Sequence, residues 1–531
     1  MTIFKKTLSS LIVLLVIGAL SLAVRGIPGS PTSEEFGMAR WSSNGPLELS
    51  PERGRLALMY SIVENHSLVF DVSVARLALP DLAINNMGQY VSLFAPAASY
   101  IAIPGYLAGK ALGLSQVGAY SIITLFSILN LILIILIARR LGASHFASLL
   151  GGLTFVFATP AFSYATTLYQ HHVSVFLLLS SVFVLLRFRN VGSLTFVWFA
   201  CALSVVVDNP NLFLMFPVGI FALMRLFELV RPKKHFLVKK ATWSILTFLG
   251  LIVPFVFFGW YNFHAYGNAL QLPGTLQVVS EIGADGRPVA KNSYELQVLS
   301  PEQLAERNQA SVAEKSAVGF FKSRNLYNGF YVHFLSPDRG IIFFAPVILL
   351  GIIGLALLYR TNIQIVSLIA ASIGANVLLY SMWGDPWGGW AFGSRYLIPT
   401  YALLAIGITF GLSRWRFRTL FLTLFVPLFA YSAWVNTLGA LTSNANPPEI
   451  QILSLESQTG HEEKYTFMRN WEYLNGTYQE ANAKSFIYQA WAKKLVSPKE
   501  YFAFVYGLIL LMAASGVVGL MFEMYQKDKK N

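Results

Sequence analysis

The feature that most restricts this chain is the recurrence of apolar runs about as long as a bilayer is thick. A hydrocarbon core roughly 30 Å across takes about 20 helical residues. Runs at 8 to 24, 117 to 138, 143 to 163, 168 to 186, 192 to 207, 211 to 229, 241 to 261, 341 to 358, 363 to 382, 396 to 412, 419 to 435 and 503 to 522 meet or approach that length. Because lipid offers the backbone no hydrogen-bond partner, such runs must be helical. The predicted fold is an all-α integral membrane protein of about 12 transmembrane helices. Of 531 residues, 55% are hydrophobic and 12% charged. An ordinary soluble enzyme, with about 25% charged residues, is excluded.

Lys and Arg number 39 against 26 Asp and Glu, a formal charge of +13. These cations do not form one stripe, so nucleic acid is not an expected partner. They punctuate alternate loops: Lys5 and Lys6; Arg139 and Arg140; Arg187 and Arg189; Arg231, Lys233, Lys234, Lys239 and Lys240; Arg360; Arg414, Arg416 and Arg418; Lys527, Lys529 and Lys530. The positive-inside rule makes these loops and both termini cytoplasmic, in a cell membrane. A cleavable signal peptide ending near Ala23 is the competing reading of the first run. Residues 91 to 112 would break the alternation if they spanned, and Pro96 and Pro104 suit an interfacial or re-entrant helix instead. The single cysteine, Cys201, allows no internal disulfide.

Three long loops then face outward, at about 25 to 116, 262 to 340 and 436 to 502. The expected organisation is a membrane domain over 1–435, a small outer cap over 436–502, and a last helix with a basic tail over 503–531. Polar groups of interest gather where outer loops meet the membrane rather than near its middle, where a transporter would hold them. Glu52, Asp71 and Asp81 lie in the first loop with Arg55. Carboxylates there can act as general bases or hold a divalent cation, and arginines can clamp phosphate. Asp71 and Asp81 can equally cap short helices, and Asp208 can cap the helix that follows it.

From Arg55 to Tyr106 the first loop resembles that of the polytopic, lipid-carrier-dependent glycosyltransferases of the C-type superfamily, which includes protein O-mannosyltransferases and aminoarabinose transferases. The resemblance rests on Arg55, Val63-Glu64, Phe70-Asp71, Asp81-Leu82-Ala83 and the run from Gly88 to Ala97. It continues through TTLYQHHVSVFLLL with His171 and His172, VVVDNPNLF with Asp208 and Pro210, and WYNFHAYGNAL. LSPDRGIIFFAPVILL with Arg339 and WGGWAFGSRYLIP with Trp390 and Arg395 complete it.

The resemblance implies sugar transfer from a polyprenyl-phosphate donor in the outer leaflet to a glycan, lipid or protein of the cell envelope. It implies Asp71 or Asp81 as base or acceptor-orienting group, with Glu52 in reserve. Arg339 and Arg395 are the expected phosphate contacts, and Arg55, His171, Asp208 and Trp390 the further substrate contacts. Where the family has an acid and a lysine before a proline and then a glycine, this chain has Leu93, Phe94, Pro96 and Ala97. That departure leaves three alternatives open: another cation serves, donor and acceptor differ, or the chain is a catalytically silent assembly partner. A transporter or flippase of lipid-linked precursors is the reading from another class. Metal dependence is likewise open, a divalent cation being compatible with the acids.

Overall fold

The computed structural model describes residues 2–42, 45–230, 245–289, 321–414, 418–477 and 480–529. Arg231, Lys233, Lys234, Lys239, Lys240, Arg416 and Lys530, read above as topology signals, lie outside the described residues. Within them, seven helices are long and apolar enough to cross a membrane: Lys5–Ala23, Ser115–Arg140, Leu246–Tyr266, Ile363–Ser381, Arg395–Ser413, Thr419–Leu441 and Pro498–Gln526. Shorter apolar helices at His145–Phe157, His171–Arg187, Val191–Val207, Asn211–Leu226 and Pro346–Tyr359 pack among them. The chain is a membrane-embedded, multi-pass helical protein, as the apolar runs predict.

Polar contacts sort the helix ends into two groups. At one end Lys5 pairs with Glu523 at 2.7 Å, Ser9 meets His145 at 2.7 Å, and the Ser144 amide donates to Ser413 Oγ at 3.0 Å. Both chain termini therefore lie at the same end. The long loops meet at the other: the Arg25 amide donates to Thr166 O and the Gly26 amide to Lys484 O, both at 3.1 Å. This is the pairing of loops that the alternating cations predict.

The first long loop folds into helices α1 (Ser50–Glu64), α2 (Val72–Ala78) and α3 (Ala97–Ala111). Helix α3 is the segment read as interfacial, and its contacts show why it adds no crossing. Ser99 Oγ donates to Arg55 O at 3.0 Å, while Tyr106 and Lys110 both reach Glu64, at 2.9 Å and 2.6 Å. The helix therefore lies along α1, within the loop face. Its other side presses on the helix Ser115–Arg140 at Gly105, where a Cβ would come within 2.3 Å of Gly118 O. Only glycine permits so close a backbone approach.

The all-α expectation misses one small sheet. Strands β1 (Leu82–Ile84), β2 (Tyr90–Ser92) and β3 (Gln277–Val279) run in the order β2-β1-β3, antiparallel, with Leu82 opposite both Ser92 and Val279. A local turn nucleates it: Asn85 Oδ1 accepts from the amides of Met87 and Gln89 at 3.0 and 2.9 Å. The sheet ties the first long loop to the second. The cap is shorter than its expected 436–502, because one spanning helix runs on to Leu441 and the last begins at Pro498.

Candidate active-site cavity

Helix α1 starts with Pro in its first turn, and it presents Pro51 and Arg55 to a cavity of about 260 Å³ on the loop face. Leu93, Phe94 and Ala95 add a wall from later in the first loop, and four segments beyond that loop close it. Tyr169, Gln170 and His171 come from the start of the helix His171–Arg187, and Asp208 to Pro210 from the turn between Val191–Val207 and Asn211–Val230. Leu272 to Thr275 descend from the WYNFHAYGNAL block, and Tyr380, Trp383, Arg395 and Tyr396 flank the WGGW loop. Four sequence-chosen residues, Arg55, His171, Asp208 and Arg395, thus share one cavity although 340 positions separate the first from the last.

The two guanidinium groups lie close to one tyrosine ring. Arg55 stands 5.7 Å and Arg395 5.4 Å from the Tyr169 ring centroid. Arg55 also covers the Phe94 ring at 4.6 Å and donates to Pro51 O at 2.8 Å and Gln170 Oε1 at 2.5 Å. Gln170 passes the link on, its Nε2 donating to Asp208 Oδ2 at 2.9 Å. Arg395 donates to Tyr169 OH at 3.2 Å and Gly388 O at 2.7 Å. His171 stacks on Tyr169, centroids 5.7 Å apart and planes 12° apart. Three nitrogens are left over: Arg55 Nε, Arg395 Nε and His171 Nε2 are buried with no hydrogen-bond partner among the described residues.

Buried donors without acceptors cost free energy, so a cluster of them is unusual in a finished core. The two guanidinium groups attract an anion, and a His171 ring protonated at Nε2 would add a donor beside them. Burial pulls the Arg55 guanidinium down to about 10, with Asp208 opposing, which leaves it charged at neutral pH. Burial raises the Asp208 carboxyl above its ordinary range, while Gln170, Arg55 and Arg395 hold it back. The site therefore combines two cations with one carboxylate of increased basicity.

Other candidates occupy different positions. Asp71 does not line the cavity; its Oδ1 accepts from the Val74 amide at 2.8 Å, the N-cap of α2. Asp81 does not line it either, and accepts Ser50 Oγ at 2.5 Å at the start of α1. Glu52, in the first turn of α1, is wholly buried, and neither carboxylate oxygen is hydrogen-bonded at ordinary geometry among the described residues. Burial pushes its carboxyl up to about 7; Arg25 and the nearby Leu49 amide weaken that push only in part.

Arg339 is saturated by main chain, donating to Trp387 O at 3.3 Å, Asp338 O at 2.8 Å, and Gly389 O and Asn446 O at 3.0 Å each. It holds the WGGW loop in shape, where Gly388 and Gly389 adopt φ of +70° and +64°. Trp390 faces a separate cavity. His172 is buried away from the site, with Nε2 at 2.8 Å from Ala161 O. Gln170 and the tyrosines at 169, 380 and 396 were not singled out from sequence; the one available signal was the Tyr-Gln immediately before the two histidines. Among the described residues, no group of three His, Cys, Asp or Glu side chains stands together as a metal site.

Fold and site together define a polytopic helical membrane protein with a cavity at its loop face that brings two arginines, a histidine and an aspartate together. Among solved structures, the chain is similar to ArnT from Cupriavidus metallidurans bound to undecaprenyl phosphate, with 12% identity, a TM-score of 0.45, and coverage of 98% of this chain and 77% of that one. It is similar to the apo state of the same protein with 12% identity, a TM-score of 0.43, and coverage of 97% and 76%. No family model and no curated protein matches it.

Proposed function

We propose that the protein is a membrane glycosyltransferase of the C-type superfamily, moving a sugar from a polyprenyl-phosphate donor to a cell-envelope acceptor on the outer face. One observation carries the reading: two arginines and a histidine with spare buried donors surround the same cavity as a lone carboxylate. In this reading Arg55 and Arg395 hold the donor phosphate, and His171 adds a neutral donor. Asp208, oriented by Gln170, takes the proton of the acceptor hydroxyl as its oxygen attacks the anomeric carbon. The bond from that carbon to the phosphate oxygen breaks, and the two guanidinium groups stabilise the charge left on the phosphate.

The missing lysine finds a physical counterpart here. Phe94 takes that neighbourhood and lies against Arg55, so the cation next to it comes from α1. Asp208 replaces Asp71 and Asp81 as the favoured base, because those two acids stand outside the cavity and serve helix starts. The test is donor turnover by purified protein in lipid, given a panel of polyprenyl-phosphate sugars and envelope extract as acceptor. Release of polyprenyl phosphate that disappears in Asp208→Asn supports the reading; translocation of intact donor without turnover would replace it with transport.

A further inference from the structure

A second cavity of the loop face, about 430 Å³, is not used by the chemistry above. Its walls come from the cap and from the far side of the WGGW loop, and include Trp390, Glu463, Arg469, Asn470, Glu472 and Tyr473. At its base, Glu48 and Lys484 form an ion pair, completed by Arg25 at 3.3 Å from Glu48. Burial pushes Glu48 up, but Lys484 and Arg25 bring it below the ordinary range, so Glu48 stays ionised between two cations. Arg469 is likewise paired with Glu463 and stands 5.7 Å over the Trp390 ring, whose Nε1 donates to Gln451 Oε1 at 2.9 Å. The Glu472 carboxylate accepts no hydrogen bond among the described residues.

We infer that this cavity is a saccharide-binding subsite that seats the sugar chain of the acceptor. The inference rests on the transferase reading for the word acceptor, and on the cavity's own chemistry for the word saccharide. A sugar hydroxyl both donates and accepts, and this wall alternates carboxylate, guanidinium and amide; a ring's C–H face packs on an indole or phenol ring. A phosphate would meet three carboxylates, at Glu48, Glu463 and Glu472. A cation would find two of those three already paired.

Position supports the same occupant. Glu48 lines this cavity, whereas Pro51 and Arg55 line the catalytic one. Three residues of chain span at most about 11 Å, so the backbone positions of Glu48 and Pro51, one on each cavity, lie within that distance of each other. The loop 383–396 forms a second shared wall, with Trp390 on one side and Arg395 on the other. A short oligosaccharide resting on Trp390 can present its end to Asp208.

The experiment is calorimetric titration of the purified full chain, without donor, using mannotetraose and N-acetylglucosamine tetrasaccharide as probes. At least one should bind saturably, weaken about tenfold in Trp390→Ala and about threefold in Glu472→Gln, and stay within about twofold in Asp208→Asn and Arg395→Gln. Trp390→Phe, which keeps a ring, should recover most of the affinity. Absence of binding by both probes overturns the inference, as does wild-type affinity in both Trp390→Ala and Glu472→Gln. Polyprenyl phosphate binding, followed in parallel, separates the two readings: if it persists while saccharide binding fails, only the subsite falls, and if it fails alone, the transferase reading falls.

Discussion

Two regions of the loop face hold buried arginines, and they use them in opposite ways. At the cap, Arg25 spends its donors on Gly439 O, Ala440 O, Asn444 Oδ1 and Glu48, and Arg339 spends its own on main-chain carbonyls. In the cavity beneath α1, Arg55 and Arg395 each retain an Nε without a partner, beside an unpartnered His171 Nε2. The difference separates charge whose donors are taken up by loop carbonyls and carboxylates from charge that keeps a donor in reserve. Burial alone does not make the distinction, since Arg25, Arg55 and Arg339 are all almost fully enclosed. Saturation of the donors does.

Breaking the saturated side should have the largest effect on folding. Glu48→Ala strands Arg25 and Lys484 without their shared carboxylate, and removing one partner of a buried pair costs about 3–5 kcal/mol. A thermal or denaturant melt in detergent reads this loss, and a melt equal to wild type would show the network to be slack.

Glu52 gives a pH signature of similar size. Its folded-state carboxyl is raised to about 7 from an ordinary 4.5, so between those values the folded chain keeps a proton that the unfolded chain releases. Its contribution is therefore fully present below about 4.5 and lost as pH rises through 7, a change on the order of 3 kcal/mol. Glu52→Gln should flatten that part of the stability profile and exceed wild type at pH 8; a profile parallel to wild type would place the proton elsewhere.

On the unsaturated side the comparison predicts activity changes with little loss of fold. Arg395→Gln should lower turnover of a lipid-phosphate sugar by about 10²-fold while the melt moves little, the behaviour of a lost oxyanion donor. A large drop in stability with unchanged turnover would move Arg395 to the saturated class. The smallest effect belongs to Asp71→Ala, which removes an N-cap and should cost about 1 kcal/mol. Its turnover should match wild type once folded, and a selective loss of turnover would restore Asp71 as a catalytic candidate.

Much of this is legible in the chain itself. The spans announce themselves because charge is absent from them, and the loops at Ser144 and Ser413 gather with both chain ends, as the alternation of cations expects. Arg55, His171, Asp208 and Arg395 are legible as types and blocks. What the sequence hides is relative. Asp71 and Asp208 both precede a helix, and only the packing of distant helices leaves one as a cap and the other facing two guanidinium groups. Arg339 and Arg395 sit in similar blocks, but which is saturated depends on where the carbonyls of Trp387, Gly389 and Asn446 come to rest. Gln170 carries no charge and no motif, and its importance comes from bridging Arg55 to Asp208 across 153 residues of chain. The three-residue strands are too short for a period-2 signal, and one of their pairings joins the two long loops.

The measurement closest to the central claim is single-turnover release of polyprenyl phosphate from a polyprenyl-phosphate sugar by protein in lipid, with wild type and Asp208→Asn compared at equal folded fraction. The account predicts release by wild type, reduced about 10²-fold or more in the variant, with an acid limb above the usual carboxylate range because burial raises Asp208. Equal release by the two proteins, or none by either across the donor panel, would contradict it.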